Sequence, residues 1–265
     1  MQILLKPRNV REAFSRSARR YENLSGLQQR VGKRLLEGIP SDRTYERILD
    51  VGMGTGLFTS HLQTRFPHAR IIGIDFARGM VSQARQKNRL FQILQTDAER
   101  LPFRENVFDV MVSNLAYQWV NDLREAFAKC HTCLKDDGEV YLSIFTERTL
   151  EELFEALEKS VFGRGSGREG ALNIRRLLSQ QRVISALNAA GFHRVKTESQ
   201  VISMHFKDMF ALVRWLKATG ANAVQRDFYV GKERLSQADL YYRRTYPSQE
   251  GITASFETLW LSAVK

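Results

Sequence analysis

The chain runs to 265 residues, with 40 Lys and Arg against 29 Asp and Glu and a formal net charge of +11. Hydrophobic residues at 43% and charged residues at 26%, with only 17 Gly and 5 Pro, exclude a disordered, collagen-like or linker sequence and predict a folded chain with a real core. Two Cys exclude a disulfide scaffold and fit a reducing, cytoplasmic setting, and neither a signal-peptide segment nor an apolar run long enough for a membrane span is expected.

Residues 9–38 predict helices, with Phe14, Ala18, Tyr21, Leu24 and Leu27 at steps of three and four. From there short runs dense in Ile, Val, Leu and Phe alternate with helical patterns. Strands are expected at 47–52, 70–75, 91–97, 107–114 and 139–145, and helices at 57–66, 79–87 and 123–134. Pro67 and Gly138 mark breaks beside these helices. Such alternation predicts an α/β doubly wound sheet. A helix over 150–162, a mobile loop at 163–170 and a helix near 180–190 ending at Gly191 come next. Strands follow near 194–206 and 252–264. Between them, 207–249 opens with an amphipathic helix (Met209, Leu212, Val213, Leu216) and is too long for a hairpin loop, so it reads as a cap.

The charge is uneven. Residues 1–45 hold ten Lys and Arg against four Asp and Glu, residues 46–145 hold twelve of each, and residues 146–265 hold eighteen against thirteen. A neutral centre is therefore flanked by segments of net +6 and +5, which points to an anionic partner: nucleic acid, a membrane surface or an acidic protein.

The strongest local feature is the run from Asp50 to Gly56, with Gly52, Gly54 and Gly56 following a strand and opening a helix. Glycines there allow a tight turn and bring backbone N–H groups close to a ligand. Alone, the loop fits another nucleotide loop or plain turn chemistry. Its G-x-G-x-G spacing departs from the dinucleotide fingerprint at Leu57, and no Gly-Lys-Ser/Thr follows to make a phosphate loop. Asp50, Asp75 and Asp97 end successive strands at the carboxyl edge, where open α/β sheets bind ligands. A single acid in such a place caps a helix; three beside a glycine loop make a site.

With these residues the chain resembles the class I S-adenosylmethionine-dependent methyltransferases over about 47–145, in the motifs DVGMGTG, GID and DAERLPF. The resemblance implies a Rossmann-like sheet and S-adenosylmethionine as cofactor. Gly52, Gly54 and Gly56 would pass under its methionine part and ribose, and Asp75 would hold the ribose. Phe76 and Met80 would flank the adenine, Asp97 and Ala98 would meet its amino edge, and Asn114 would line the methionine part. Asp50 belongs to the same set, and Met53 stands where relatives often carry Cys.

The stretch Ser113–Trp119 resembles the N-x-x-x-Q-W pattern of carboxylate methyltransferases of the trans-aconitate and malonyl-[acyl-carrier protein] families. The second matches better, with further likeness over 10–36, 150–156, 189–192 and 216–222. It implies methylation of the free carboxylate of a malonyl thioester in biotin synthesis, with an acidic acyl carrier protein as partner. It implies an N-terminal helical lid (1–45), a cofactor core (46–206), a cap insertion (207–250) and a final strand (251–265). A carboxylate is ionised at pH 7 and needs no base, only alignment and a dry pocket. Tyr21 from the lid is the first candidate to position it, with Gln28 beside the cofactor and Gln118 and Trp119 at the pocket floor. Core packing is the competing reading of Trp119 and Gln28. Arg148, Arg214 and Lys217 are the candidates for a cationic clamp, with surface charge as the competing reading.

Two other readings stay open: a small-molecule carboxylate methyltransferase, and an RNA-modifying enzyme or assembly factor that binds S-adenosylmethionine. Against RNA, Asn114-Leu115-Ala116-Tyr117 lacks the prolines of base-modifying motifs, and no separate RNA-binding module is visible. The Cys130-His131-Thr132-Cys133 run lies in a helical pattern without a second ligand cluster, so packing is expected there and no metal.

Overall fold

The structure is a computed structural model and describes residues 4–87, 90–161, 177–221 and 231–265. The expected loop at 163–170 lies outside these residues, as do Phe162 and Asn222. The runs buried on both faces form the centre of the sheet: β1 (Arg47–Val51), β2 (Arg70–Asp75), β3 (Gln92–Gln95), β4 (Phe108–Asn114) and β5 (Leu134–Phe145). All five are parallel. The last long strand, β8 (Gly251–Val264), lies antiparallel between β5 and β6 (His193–Phe206), and a short β7 (Pro247–Ser248) pairs with it. The order is β3-β2-β1-β4-β5-β8-β6. Chain order reverses between β1 and β4, which opens a crevice at the carboxyl ends of those strands.

Strand residues alternate between two cores. Ile48, Val110 and Val112 pack with α3 (Gly26–Glu37), α4 (Leu57–Arg65) and α5 (Arg78–Lys87) on one face. On the other face, Leu49, Met111 and Val140 pack with α6 (Leu123–Cys133) and α8 (Gln180–Ala189). Asp122 caps α6 by accepting from the Glu125 N–H at 2.9 Å. Cys130 and Cys133 are buried in this second core, with the Cys130 thiol 2.6 Å from the Tyr117 hydroxyl and pushed up to about 12 by burial. Packing is what they do.

Several boundaries differ from expectation. The N-terminal helical region is three helices, α1 (Pro7–Ser17), α2 (Tyr21–Leu24) and α3, because the chain turns where the Arg20 N–H bonds the Ser17 carbonyl and again at Ser25. β3 is four residues, so Asp97 sits in the loop beyond it, and β5 starts at Leu134 rather than Glu139 through a bulge opposite β4. After α7 (Glu151–Val161), the 207–250 interval holds α9 (Met209–Ala218) and a helix not foreseen, α10 (Lys232–Thr245). Hydroxyls of Tyr241, on α10, and of Tyr246 beyond it donate to Glu155 of α7, and the Met209 N–H donates to Asp239 at 2.9 Å. No helix among the described residues is long and apolar enough to cross a membrane.

Candidate active site

The site is built where β1 hands over to α4. Gly52, Gly54 and Gly56 adopt φ of 78°, 58° and 83°, which an L side chain resists. At Gly52 a Cβ would stand 2.2 Å from the Ala116 Cβ, so the turn also needs the missing side chain. The Gly52 and Met53 N–H groups donate to the Ile74 carbonyl, at 2.8 and 2.9 Å, and the Gly54 N–H donates to Asp75 Oδ2 at 3.0 Å. This ties the glycine loop to the end of β2. Gly56 shapes the start of α4, its carbonyl accepting from the Ser60 N–H at 2.9 Å, and lines none of the three cavities described below.

Asp50 lies beneath the loop, 1% exposed, and also stays out of those cavity walls. One of its oxygens accepts from the Thr59 hydroxyl at 2.6 Å, while the other is buried without a partner. Burial pushes its carboxyl up to about 7, against the Thr59 bond and with the help of Asp75. Asp75 is pushed up to about 6 by burial, opposed by the N–H groups of Ala77, Gly54 and Phe76.

Three cavities meet at Tyr21, two of them lined by this loop. The first, of about 780 Å³, is lined by Gly52, Asp75, Phe76, Met80, Asp97 and Ala98 among others. Met80 packs with Ala18 and Ala77, and with the rings of Phe14, Tyr21 and Phe76, into an apolar wall suited to a flat heterocycle. The second, of about 540 Å³, runs along the other side of the loop past Gln28, Gly54 and Asn114. Both ends of the Asn114 amide are engaged, Nδ2 donating to the Gln28 carbonyl at 3.0 Å and Oδ1 accepting from the Ser143 hydroxyl at 2.7 Å. The Gln28 side-chain oxygen is buried and has no partner. A buried acceptor left bare beside a cavity is a place for a ligand's N–H group.

The third cavity, of about 870 Å³, reaches Gln118, Trp119, Phe145, Thr149, Trp215 and Phe256. Trp119 is held edge-on by Phe14 at 5.3 Å, and Gln118 is 8% exposed, its oxygen 3.5 Å from the Phe145 N–H. Tyr21 lines all three cavities. Burial, then the Asp75 carboxylate, push its phenol above the ordinary tyrosine value, so it is a neutral donor.

The candidate clamp residues are elsewhere. Arg148 is 64% exposed and paired with Glu151 at 3.5 Å, and Arg214 is 71% exposed with Asp208 at 3.8 Å. Lys217 is exposed on α9. None lines the third cavity, although Thr149 and Leu150, next to Arg148, and Leu216 and Thr219, flanking Lys217, do. Sequence reasoning missed Leu5, Glu22, Glu99 and Leu115, all of which line one cavity or more. Leu115 holds φ of 56° between β4 and the 3-10 turn at Tyr117–Trp119, a left-handed residue that no residue pattern announces.

Residues 49–142 match the family model described as a methyltransferase domain. The chain is 31% identical over 266 residues to the malonyl-[acyl-carrier protein] O-methyltransferase of Geobacter sulfurreducens, covering 97% of this chain and 98% of that one. It belongs to that family. The biotin biosynthesis bifunctional protein BioHC of Saccharophagus degradans is 32% identical over 263 residues, which cover 97% of this chain and 46% of the relative. The chain therefore spans about half the length of that bifunctional protein. Among solved structures, YcgJ protein from Bacillus subtilis aligns with a TM-score of 0.61 at 18% identity, over 89% of this chain and 97% of that one, and shares the fold.

As a methyltransferase of this family, the chain uses S-adenosylmethionine as cofactor. The residues fit it. The apolar wall around Met80 suits an adenine, Asp75 is a carboxylate at the end of β2 for hydroxyl donors, and the bare Gln28 oxygen suits an ammonium.

Proposed function

We propose that the chain transfers the methyl group of S-adenosylmethionine to the free carboxylate of a malonyl thioester on an acyl carrier protein, giving the methyl ester that starts the pimeloyl part of biotin. One observation carries this reading. Among the described residues, the wall of the third cavity contains no His, Cys, Asp, Glu, Lys or Arg. No group there can take a proton, so a hydroxyl or amine acceptor would lack its base, whereas a carboxylate arrives already ionised.

When bound, the cofactor supplies an electrophilic methyl on a sulfonium, so the protein's task is alignment. Gln28, Gly52, Gly54, Asp75, Phe76, Met80, Asp97, Ala98 and Asn114 would hold it, with Asp50 and Gly56 setting the loop from below. Tyr21, at the junction of all three cavities, would donate its O–H to the carboxylate. Gln118 turns its oxygen to the Phe145 N–H, and its amide nitrogen is the end left to donate. Trp119 and the rings of Phe145 and Trp215 would exclude water, which strengthens both donors and leaves the carboxylate poorly solvated and more nucleophilic. A polyanionic free acid such as trans-aconitate would bring charges that no side chain of this wall meets; a single carboxylate on a neutral thioester would not.

The exposed cations belong to the rim in this reading. Arg148, Arg214 and Lys217 would meet the acidic carrier rather than clamp the carboxylate, together with the basic N-terminal helices, which serve as the lid, and the 207–250 segment, which serves as the cap. Incubation with labelled S-adenosylmethionine and, separately, malonyl-carrier protein, malonyl-CoA, trans-aconitate and bulk RNA tests the proposal. Label is expected on the malonyl thioesters. Label on trans-aconitate or RNA, with none on malonyl, would overturn it.

A further inference from the structure

Asn121 follows the 3-10 turn that carries Gln118 and Trp119 and lines none of the three cavities. Its side chain grips the main chain of Leu5 from both sides: Oδ1 accepts the Leu5 N–H at 2.8 Å, and Nδ2 donates to the Leu5 carbonyl at 3.1 Å. From behind, the Asn121 and Asp122 N–H groups both donate to one oxygen of Glu99, each at 3.0 Å. Glu99 lines the first cavity in the same loop as Asp97 and Ala98. Leu5 is 4% exposed and lines the third cavity, while Pro7 lines the first. Asn121 thus joins the adenine-side loop, through its main-chain N–H, to the segment that roofs both chambers, through its side chain.

We propose that Asn121 is a positioning residue that fastens residues 4–7 over the two chambers, and that Glu99 makes this fastening depend on a seated cofactor. The inference rests on the reading above of which cavity takes which ligand. The rest of the N-terminal region has other anchors: the Gly79 N–H donates to the Ser15 hydroxyl at 3.3 Å, and Lys87 pairs with Glu22 at 2.8 Å. Residues 4–7 lean on Asn121. A ligand that stills the 97–99 loop holds the Glu99 carboxylate in place, the carboxylate holds the 121–122 turn, and the turn holds Leu5. The acceptor chamber is then complete only in the loaded protein, and linkage requires that acceptor and cofactor each tighten the other.

Hydrogen–deuterium exchange over residues 4–17, with and without S-adenosylhomocysteine, reads the fastening without any acceptor. In the wild type the added product should slow exchange there by about tenfold. Asn121→Ala should abolish that slowing and, by the same linkage, weaken S-adenosylhomocysteine binding by up to about tenfold without abolishing it, read by calorimetry, because Glu99 and the cavity walls remain. Asn121→Asp keeps size and the accepting oxygen, and should fall between the two. Glu99→Gln keeps an accepting oxygen and should retain the slowing. With the malonyl acceptor, Asn121→Ala should raise KM about tenfold and leave kcat within about twofold, the mark of lost positioning rather than lost chemistry. Equal slowing in Asn121→Ala and wild type would overturn the proposal, as would loss of S-adenosylhomocysteine binding in both Asn121 variants. If malonyl proves the wrong acceptor, the exchange result still decides the fastening.

Discussion

The Asn114 side chain donates to the main-chain carbonyl of Gln28 at 3.0 Å, joining the end of β4 to α3 where the first and second cavities are walled. Its other end accepts from Ser143, and a Cβ on Gly32 would stand 2.8 Å from its nitrogen, so the amide is enclosed. Asn114→Leu would remove both of these bonds, leaving the Ser143 hydroxyl to accept from the Leu115 N–H but with no acceptor for its own proton, and should cost about 2–4 kcal/mol of stability. Calorimetric affinity for S-adenosylhomocysteine should fall at least about tenfold, since a 1.4 kcal/mol loss suffices for that.

Two glycines of the site region should respond in opposite ways. Gly52→Ala puts a Cβ into Ala116 at a φ of 78° and should destabilise by about 2–4 kcal/mol. Gly26→Ala, at the first residue of α3 with nothing within 4 Å, should be neutral or gain up to about 1 kcal/mol. Denaturant titration of both variants checks the pair.

On the proposed role of Tyr21, Tyr21→Phe removes one hydrogen bond to the acceptor carboxylate and should lower kcat/KM about ten- to a hundredfold. Affinity for S-adenosylhomocysteine should stay within about twofold, because the ring wall is kept. Since the phenol is held above its ordinary value and no base lines the third cavity among the described residues, kcat at saturating cofactor should be flat from about pH 6.5 to about pH 9.

Asp50 and Asp75 hold protons in the folded chain up to about 7 and about 6, whereas an unfolded carboxyl releases them near 3.8. Between those values the folded state binds more protons than the unfolded one, so each group makes stability fall as pH rises, and the fall ends above its folded value. Asp50→Asn removes one such group. The stability of the wild type relative to Asp50→Asn should therefore decline from about pH 4 to about pH 7 and then level off. Cationic S-adenosylmethionine favours the ionised carboxylates, so its affinity should climb over the upper part of the same interval.

Charge reversal at Arg19, Arg20 or Lys217, all exposed within two residues of Tyr21 or Leu216, should raise KM for malonyl-carrier protein several-fold at low salt. KM for malonyl-CoA should not change. Equal effects on both acceptors would remove the docking role of these cations.

Much of the fold is legible in the sequence, for local reasons. Runs such as Ile71–Ile74 are apolar on both faces and must lie inside a sheet, and the glycine spacing after Asp50 requires a turn that only a small set of folds uses. The α10 helix is not legible: 58%-exposed Leu240 sits near buried Ala238 and Tyr242, so its apolar residues do not form one stripe. Asp50 and Asp75 are legible because they lie at the ends of β1 and β2, and Tyr21 because it sits in a motif, whereas Asp97 lies in the loop two residues beyond β3. The Asn121–Leu5 clasp is not, because its partners are 116 residues apart and nothing in either neighbourhood points to the other. Residue type alone likewise cannot say that Arg148, Arg214 and Lys217 face solvent; that follows from where Glu151 and Asp208 hold the two arginines.

The most direct test of the carboxylate reading is mass spectrometry of malonyl-carrier protein after a single turnover with S-adenosylmethionine. The account predicts a gain of one methyl group on the malonyl moiety, localised to its free carboxyl and removed by mild base as an ester. A methyl on the carrier polypeptide, or none on malonyl while another acceptor is methylated, would contradict it.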